Sequence, residues 1–458
     1  MKKILLSVIA VAAIINFTVA QTVINVPAAH VVNFQQLADF EKTHPPVQHK
    51  KHLIEQGEDK DQDFHYVGKH ISGVSNIFNV TLPEGNKRTV SPAASLVFDG
   101  TMDGGNLIPP DINGVAGDTL LMEVDNQQFD IYEKNGNHVS TLSINTFFNS
   151  TGGSGYFDPH LIYDKVHHRY VVIIDGNASN GNGGLFIGIS QTQNPNGNWY
   201  VYGFDAVGNA NDFLDYPLLG INNKWIVISA NDFINGGNPV YSKIYVMNRA
   251  TLFAGGAFTV TTFTDQNVFT LAPAVTCDST EANEYLVADW NGDSANIGYT
   301  RIYKISGPVG TPAYSAVGMI GLNQPWDENP VGAPQAGGVQ TLEDGDTRIS
   351  NAIFINGSLW YTHCVYLPAG NPTHDAADWY QVIPSTLTLQ QFGRVVDATA
   401  NTFYIYPSIG VNSNNDVLLG YSVCSPTTFA SSGYSFRAGT DPLNTMQSTY
   451  IYKAGLAY

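Results

Sequence analysis

The hydrophobic positions of this chain fall into short runs of roughly five to eight residues, bounded by Gly, Asn, Asp and Pro. One pattern recurs along the chain. An acidic residue and a proline precede an apolar run, a tight turn follows, and a second apolar run ends on Asp or Asn. The copies at 157–176 (FDPHLIYDKVHHRYVVIIDG) and 215–232 (DYPLLGINNKWIVISAND) show it most clearly. Such paired runs predict β-hairpins.

Six copies of this hairpin pattern occur between residues 109 and 424. Their anchors are Pro110, Pro159, Pro217, Pro273, Ser350 and Pro407, which are 49, 58, 56, 77 and 57 residues apart. Most copies are followed by further strand-like runs, such as 185–192 and 198–205 after the second copy. Four strands repeated at about fifty residues are typical of a β-propeller.

The sequence therefore predicts an all-β fold, a β-propeller with at least six four-stranded blades and six or seven in all, over residues 91–458. A β-sandwich or a β-helix is the alternative. A sandwich of this length, however, gives no reason for the hairpin pattern to repeat six times.

In a propeller, the first run of each copy is the innermost strand of its blade. Because neighbouring strands of a blade are antiparallel, the start of the inner strand and the end of the second strand lie at the same end. Repetition thus gathers carboxylates, amides, aromatic rings and one arginine at one mouth of the channel. The predicted ligand-binding residues are Asp111, Asp125, Asn126, Asp158, Asp175, Asp215, Tyr216, Asn231, Asp232, Trp290, Arg348, His363 and Tyr406.

Three kinds of chemistry fit such a ring of side chains. Its oxygen atoms could coordinate calcium, its polar groups and aromatic rings could bind a sugar, or two carboxylates could cleave a glycoside. An Asp at a turn or before a strand can equally cap the local backbone. For calcium, the D-x-N-x-D spacing makes Asp289, Asn291 and Asp293 the candidate ligands, although Ser294 and Thr300 depart from the loop pattern. No cofactor is required.

Composition narrows the classes of partner. The chain has 458 residues, and its acidic residues exceed its basic ones by 18. This charge disfavours binding to nucleic acids and to anionic membranes, and no segment after residue 20 is apolar enough to insert into a bilayer. The three cysteines are far apart, which is not the pattern of a disulfide framework. The oligomeric state is left open.

The N-terminal part differs from the rest of the chain. Residues 1–20 resemble a secretory signal peptide, with Lys2 and Lys3 before an apolar segment, and predict a secreted or cell-surface protein. Residues 21–90 are charged and rich in histidine, which predicts an extended arm or a propeptide. The chain contains no G-x-S-x-G, H-E-x-x-H or P-loop motif, so no catalytic residue is predicted.

Four segments carry a resemblance to a known family: 109–118 (PPDINGVAGD), 157–172, 187–205 and 215–232. They look like those of secreted, Bacteroidetes-type β-propeller proteins that are sialidase-like in fold and mostly uncharacterised. Members of that family continue past the sixth unit, so the resemblance implies truncation after Tyr458 and a missing closing blade. Sialidases also carry Asp-box repeats and an arginine triad. This chain has no Asp-box, so the resemblance implies no sialidase activity.

Together these observations favour a secreted or cell-surface β-propeller that is a non-catalytic binding module. Its expected partner is a glycan or an extracellular protein, held at an acidic and aromatic mouth. The alternative is a glycoside hydrolase or a polysaccharide lyase that uses paired carboxylates at the same mouth. The absence of a complete catalytic motif favours the binding module.

Overall fold

The computed structural model describes residues 20–45, 73–83, 89–102, 109–237, 240–338 and 340–457. Residues 1–19 of the predicted signal peptide lie outside the described residues. The same is true of residues 46–72 and 84–88 within the predicted arm.

The described part of the arm contains three strands and one helix, which contact different parts of the main fold. They are β1 (Ala20–Val26), β2 (His30–Asn33), α1 (Phe34–Thr43) and β3 (Ser75–Phe78).

Six consecutive antiparallel units of four strands follow, which we number in chain order. The first unit is β4 (Asn113–Ala116), β5 (Leu120–Val124), β6 (Gln128–Glu133) and β7 (His138–Ser143). The second is β8 (Ser154–Asp164), β9 (Arg169–Asn177), β10 (Gly183–Ser190) and β11 (Asn198–Asp205). The third is β12 (Phe213–Ile221), β13 (Trp225–Phe233), β14 (Val240–Asn248) and β15 (Phe258–Asp265).

The last three units have the same meander. The fourth is β16 (Ala272–Thr276), β17 (Glu284–Asn291), β18 (Gly298–Ser306) and β19 (Ala313–Leu322). The fifth is β20 (Ile349–Ile355), β21 (Ser358–Leu367), β22 (His374–Ile383) and β23 (Thr388–Val395). The sixth is β24 (Phe403–Val411), β25 (Val417–Ser425), β26 (Thr428–Arg437) and β27 (Tyr450–Lys453). Short helices α2 (Ile144–Phe148) and α3 (Arg249–Phe253), and 3₁₀ turns at Asn149–Thr151 and Ile234–Gly236, lie in the connections.

Successive units pack face to face, and each neighbouring pair shares an apolar core. Phe147 and Val172 lie between the first and second units, and Leu219 lies between the second and third. Trp225 and its neighbours fill the third interface, and comparable clusters lie between the fourth, fifth and sixth units. Burial on both faces explains why the strands are nearly continuous apolar runs. This arrangement confirms the predicted all-β propeller class, while the blade number at closure stays a prediction.

The arm adds edge strands to three of these units. Strand β1 pairs with β15 of the third unit, β2 with β11 of the second, and β3 runs parallel to β19 of the fourth. Helix α1 buries Phe34 and Ala38 against the first unit, where the Phe34 ring lies 6.1 Å from that of Phe129. Covering outer strands in this way satisfies backbone groups that an exposed edge leaves unpaired.

Two further features bear on the sequence predictions. Within the described residues, none of the helices has the length and apolar content that crossing a bilayer requires. Cys277, Cys364 and Cys424 are all free thiols, and the last two are buried.

Candidate functional site

The inner strands of the six units start at one end of the assembly. Strand β16 runs parallel to both β12 and β20, so the inner strands of the third, fourth and fifth units start at the same end. The backbone N–H of Leu161 donates to Asn113 between the first two units, and that of Ile409 donates to Asn351 between the last two. We call the end formed by the first residues of the inner strands and the last residues of the second strands the mouth.

Five inner strands share an unusual backbone conformation at the mouth. A non-glycine residue just before or within the start of each strand has a positive φ. These residues are Asp111 (47°), Asp158 (53°), Tyr216 (53°), Thr270 (55°) and Tyr406 (52°). The left-handed region is uncommon for non-glycine residues. Each residue held there raises the free energy of the folded state by about 1–3 kcal/mol. In the second, third and sixth units, a β-bulge accompanies the left-handed residue. A β-bulge changes the direction in which nearby side chains point, so these bulges determine which side chains face the mouth.

Two aspartates of neighbouring units meet at the mouth. The side chains of Asp111 and Asp158 are in hydrogen-bonding contact, and both residues are half-buried. Burial raises the pKa of both carboxyl groups. The pKa of Asp158 is raised further, because the negative charges of Asp215, Asp111 and Asp175 also face it. Two carboxyl groups in contact cannot both ionise easily, so ionisation of one raises the pKa of the other, and the larger rise is at Asp158.

Two more aspartates extend this pair into what we call the carboxyl cluster, which consists of Asp111, Asp158, Asp175 and Asp215. Asp175 is fully buried, and neither of its carboxylate oxygens has a hydrogen-bond partner among the described residues. Burial, and then the charge of Asp215, raise the pKa of Asp175 well above its ordinary value. Asp215 is itself 8% exposed. Burial and mutual repulsion therefore favour the protonated forms of Asp111, Asp158 and Asp175.

Hydrogen bonds from the Asn126 side chain and from backbone N–H groups hold the carboxyl cluster in place. Asn126 donates from Nδ2 to the Pro109 carbonyl at 3.0 Å and also to Asp111, and its Oδ1 accepts from the Asp158 N–H at 2.7 Å. The Tyr216 N–H donates to Asp158 Oδ2 at 3.2 Å. These bonds connect the first three units through their left-handed residues.

His160 follows Asp158 by two residues in β8 and was missed by the sequence analysis. Burial lowers its pKa to about 4, although a hydrogen bond to the Pro217 backbone opposes that shift. The imidazole is therefore neutral at pH 7. Its only sequence signal is its place two residues after Asp158, which sequence alone does not distinguish from a core histidine.

Arg348 brings a positive charge to the mouth. Its guanidinium carbon lies 4.2 Å from the ring centroid of Tyr216 and 5.6 Å from that of Phe269, and it forms an ion pair with Asp346. Burial raises the pKa of Tyr216 to about 12, while Arg348 opposes the shift. The phenol is therefore protonated at neutral pH and can donate a hydrogen bond.

Arg348 belongs to a segment that contacts several units, residues 343–348 (EDGDTR), which we call the bridging loop. Its Thr347 donates to Asp289 Oδ2 at 2.8 Å and accepts through its carbonyl from His363 Nδ1 at 3.0 Å. The Gly345 carbonyl accepts from the Tyr366 hydroxyl at 2.6 Å, and Glu343 accepts from the Tyr406 hydroxyl. The sequence analysis assigned a role in this loop to Arg348 alone, because the oxygen-rich turn at 343–346 is by itself ordinary turn chemistry.

The bridging loop also contributes to a second carboxyl pair that sequence reasoning missed. Asp344 and Asp375 are buried and in contact, and Asp344 Oδ2 accepts from the N–H groups of Val331 and Gly332 at 3.1 and 2.7 Å. Burial and the charge of Asp344 raise the pKa of Asp375 to about 8. These aspartates lie 31 positions apart in the sequence, so no local motif announces their contact.

The remaining predicted binding residues lie at the ends of the second strands, where protein groups already occupy them. Asp125 Oδ1 accepts from two backbone N–H groups, and Asn231 exchanges hydrogen bonds with Thr270 at 2.8 and 2.9 Å. Asp232 forms an ion pair with Lys243 at 3.2 Å. Trp290 stacks with the guanidinium of Arg301 at 4.3 Å, and His363 is fully buried, which lowers its pKa. These contacts make the residues part of the frame around the mouth.

The candidate calcium ligands are engaged in turn hydrogen bonds. Asp289 accepts from Thr347, Asn291 Oδ1 accepts from the Asp293 N–H at 3.1 Å, and Asp293 Oδ1 accepts from the Asn296 N–H at 2.8 Å. Across the part of the chain that the structure describes, no group of three or more His, Cys, Asp or Glu side chains is arranged to hold a metal ion.

Comparisons with known proteins identify no family for this chain. No protein-family model and no curated protein matches the chain. Among solved structures, a Synechocystis apocarotenoid oxygenase is similar over 76% of this chain and 72% of its own, with 10% identity and a TM-score of 0.44. An exo-β-1,3-galactanase from Clostridium thermocellum covers 75% and 78%, with 10% identity and a TM-score of 0.34. A thermostable family-43 glycoside hydrolase covers 74% and 95%, with 9% identity and a TM-score of 0.31.

Similarity at these scores carries no argument about substrate or reaction. The resemblance to the secreted sialidase-like family stays a prediction.

Proposed function

We propose that this chain binds a neutral, hydroxyl-rich ligand of the glycan class at the mouth, without cleaving it. The Asp111–Asp158 pair carries this proposal. Both residues are half-buried, and the raised pKa of each carboxyl group favours its protonated form, so the pair can both donate and accept hydrogen bonds. Sugar hydroxyls both donate and accept hydrogen bonds, and such a mixed partner matches them.

The surroundings of the pair favour an uncharged ligand. An anion would face the remaining negative charge of the carboxyl cluster, and the nearby Arg348 is already paired with Asp346. Tyr216 adds a protonated phenol and an aromatic ring, which can contact the apolar face of a sugar. A few polar groups beside an aromatic surface are typical of small-ligand sites.

Two further expectations belong to this proposal. The signal-like sequence of residues 1–20 supports an extracellular or cell-surface location, where glycans and extracellular proteins are the available partners. Calcium at Asp289, Asn291 and Asp293 is part of the same proposal. It is tested by running each titration with calcium and with a chelator.

Calorimetric titration with neutral oligosaccharides tests the binding. We expect Asp158→Ala to weaken binding at least about 10-fold, because it removes a donor and an acceptor at the mouth. Asp158→Asn keeps the neutral shape and an oxygen for the Tyr216 N–H, so it should stay within about 3-fold of the wild type. Asp278→Ala is the matched control, since Asp278 caps a turn at the opposite end of the fourth unit. The proposal fails if no oligosaccharide binds, or if Asp158→Ala and Asp278→Ala bind equally well.

Glycoside hydrolysis is the second candidate, because a carboxyl group with a raised pKa can act as a general acid near neutral pH. Hydrolases need two carboxyl groups about 5–5.5 Å or about 6.5–9.5 Å apart. Asp111 touches Asp158 and is too close, so the second group would have to be the buried Asp175 or Asp215. Assays for new reducing ends decide the matter. Turnover that disappears in Asp158→Asn while binding persists would establish the hydrolase.

A further inference from the structure

Tyr406 is an exposed aromatic residue held in an unfavourable backbone conformation at the mouth. Its φ is 52°, it precedes Pro407, and 52% of it is exposed. It occupies the same position in the sixth unit as Tyr216 does in the third, since each precedes a proline within a β-bulge. Large aromatic residues gain free energy by burial, and a left-handed tyrosine is strained. The gain from burial and the backbone strain both disfavour an exposed tyrosine in this conformation.

The bridging loop fixes one side of the Tyr406 ring. Its hydroxyl donates to Glu343, and a Cβ atom built on Gly345 would lie 3.0 Å from Tyr406 Cε1. Gly345 has a φ of 75°, which also favours glycine. The loop therefore supports the ring closely from one side and leaves the remainder open to solvent.

The same loop links this ring to the carboxyl cluster. Glu343 contacts Tyr406, and five residues later Arg348 stacks on Tyr216. A fully extended stretch of five residues spans at most about 18 Å, so both aromatic contacts lie within the reach of one short ligand. Between them, Glu343 and Asp346 offer carboxylate acceptors for hydroxyl groups.

We propose that Tyr406 and the bridging loop form a second subsite, so that the mouth binds an oligosaccharide of two or more sugars. One sugar contacts the Asp111–Asp158 pair and Tyr216, and another lies on the Tyr406 ring. This inference rests on the proposed function, because it extends the same site.

The test uses the full chain and neutral oligosaccharides of one to six sugars from the cello, xylo and β-1,3-galacto series. Tyr406→Asn removes the ring but tolerates a left-handed backbone, and Tyr406→Phe removes only the hydroxyl. Tyr452→Ala, at an exposed tyrosine of the outer strand β27, is the matched control. Melting curves check that all variants are folded.

We expect wild-type affinity to rise with ligand length. Tyr406→Asn should lower oligosaccharide affinity about 3- to 10-fold and leave monosaccharide affinity unchanged, while Tyr406→Phe stays near the wild type. Equal affinity of Tyr406→Asn and Tyr452→Ala at every length, with Asp158→Ala still weakened, would overturn the subsite and leave the proposed function intact. If no oligosaccharide binds the wild type, both are overturned.

Discussion

The guanidinium of Arg348 lies 4.2 Å from the ring of Tyr216, although the two residues stand at the starts of inner strands in the fifth and third units. The fourth unit lies between them in the chain and pairs with both through β16. This contact therefore passes across the inner strand of an intervening unit. It couples the bridging loop to the left-handed residues that support the carboxyl cluster.

Replacing Arg348 with methionine should loosen this coupling. A cation–π contact stabilises by about 0.5–2 kcal/mol depending on its exposure, and Arg348 also pairs with Asp346. We expect a lower free energy of unfolding in urea and faster hydrogen exchange in the bridging loop. Arg169→Met is the control, because Arg169 starts β9 at the end opposite the mouth. Equal exchange rates in the two variants would show that Arg348 does not anchor the loop.

The hairpin pattern in the sequence predicts the two inner strands of each unit. The runs at 157–176 became β8 and β9, and those at 215–232 became β12 and β13. Short apolar runs that are buried on both faces leave a strong signal, because every position must be apolar. The arm gave no such signal. Its strands add to sheet edges through backbone hydrogen bonds, which constrain the side chains little.

The candidate site was only partly accessible from the sequence. Repetition indicated that Asp111, Asp158 and Asp215 share one end, since each marks the same place in its unit. It could not show which carboxyl groups touch, because contact depends on β-bulges and left-handed residues that change side-chain direction by local geometry. Asp344 and Asp375 escaped notice for the same reason, because their contact is tertiary and neither lies in the repeated hairpin pattern.

Two asparagines connect neighbouring inner strands, and they should differ in their importance. Asn351 makes two bonds to the Ile409 backbone, accepting from its N–H and donating to its carbonyl, each at 2.9 Å. Asn113 makes one, accepting from the Leu161 N–H at 3.1 Å. Asn351→Ala leaves two backbone groups unpaired and should lower the free energy of unfolding by about 2–4 kcal/mol, against about 1–2 kcal/mol for Asn113→Ala.

Urea titrations of both variants measure this difference. Melting temperatures give an independent ranking, in which Asn351→Ala should melt first. If Asn113→Ala proves the more damaging change, the number of bonds between units does not determine how strongly the units hold together.

The Asp344–Asp375 pair should make stability depend on pH. The pKa of Asp375 is raised to about 8 in the folded protein, from about 3.9 in an unfolded chain. Between these values the folded state binds more protons than the unfolded state, so this group lowers stability progressively from about pH 4 to about pH 8. Asp375→Asn removes the titration. We therefore expect a higher melting temperature than the wild type at pH 8, and little difference near pH 4.

Asp397→Asn is the control of opposite sign. Burial opposes ionisation of Asp397, but hydrogen bonds from Thr399 and Thr402 outweigh it and lower its pKa. Its ionised form stabilises the folded state, so Asp397→Asn should destabilise the protein above about pH 4. A shift of the same sign in both variants would contradict the raised pKa of Asp375.

Helix α1 anchors the arm to the first two units. Helix α1 begins after Asn33, whose side chain accepts from the Gln36 N–H at 3.0 Å, and it buries Phe34 completely. The Phe34 ring packs against Phe129 and against Phe147 at 6.0 Å, in the core between the first two units. Phe34→Ala should lower the free energy of unfolding by about 3–5 kcal/mol.

Phe40 provides the matched control, because it lies on the same helix and is 54% exposed. Phe40→Ala should change stability by no more than about 0.5 kcal/mol. Hydrogen exchange should accelerate in α1 and β2 of the Phe34→Ala protein, since β2 immediately precedes the helix and pairs with β11. If the two variants are equally stable, the arm is a separable attachment. If Phe34→Ala alone is destabilised, the arm is part of the folded unit, and its removal would expose the outer edges of the second, third and fourth units.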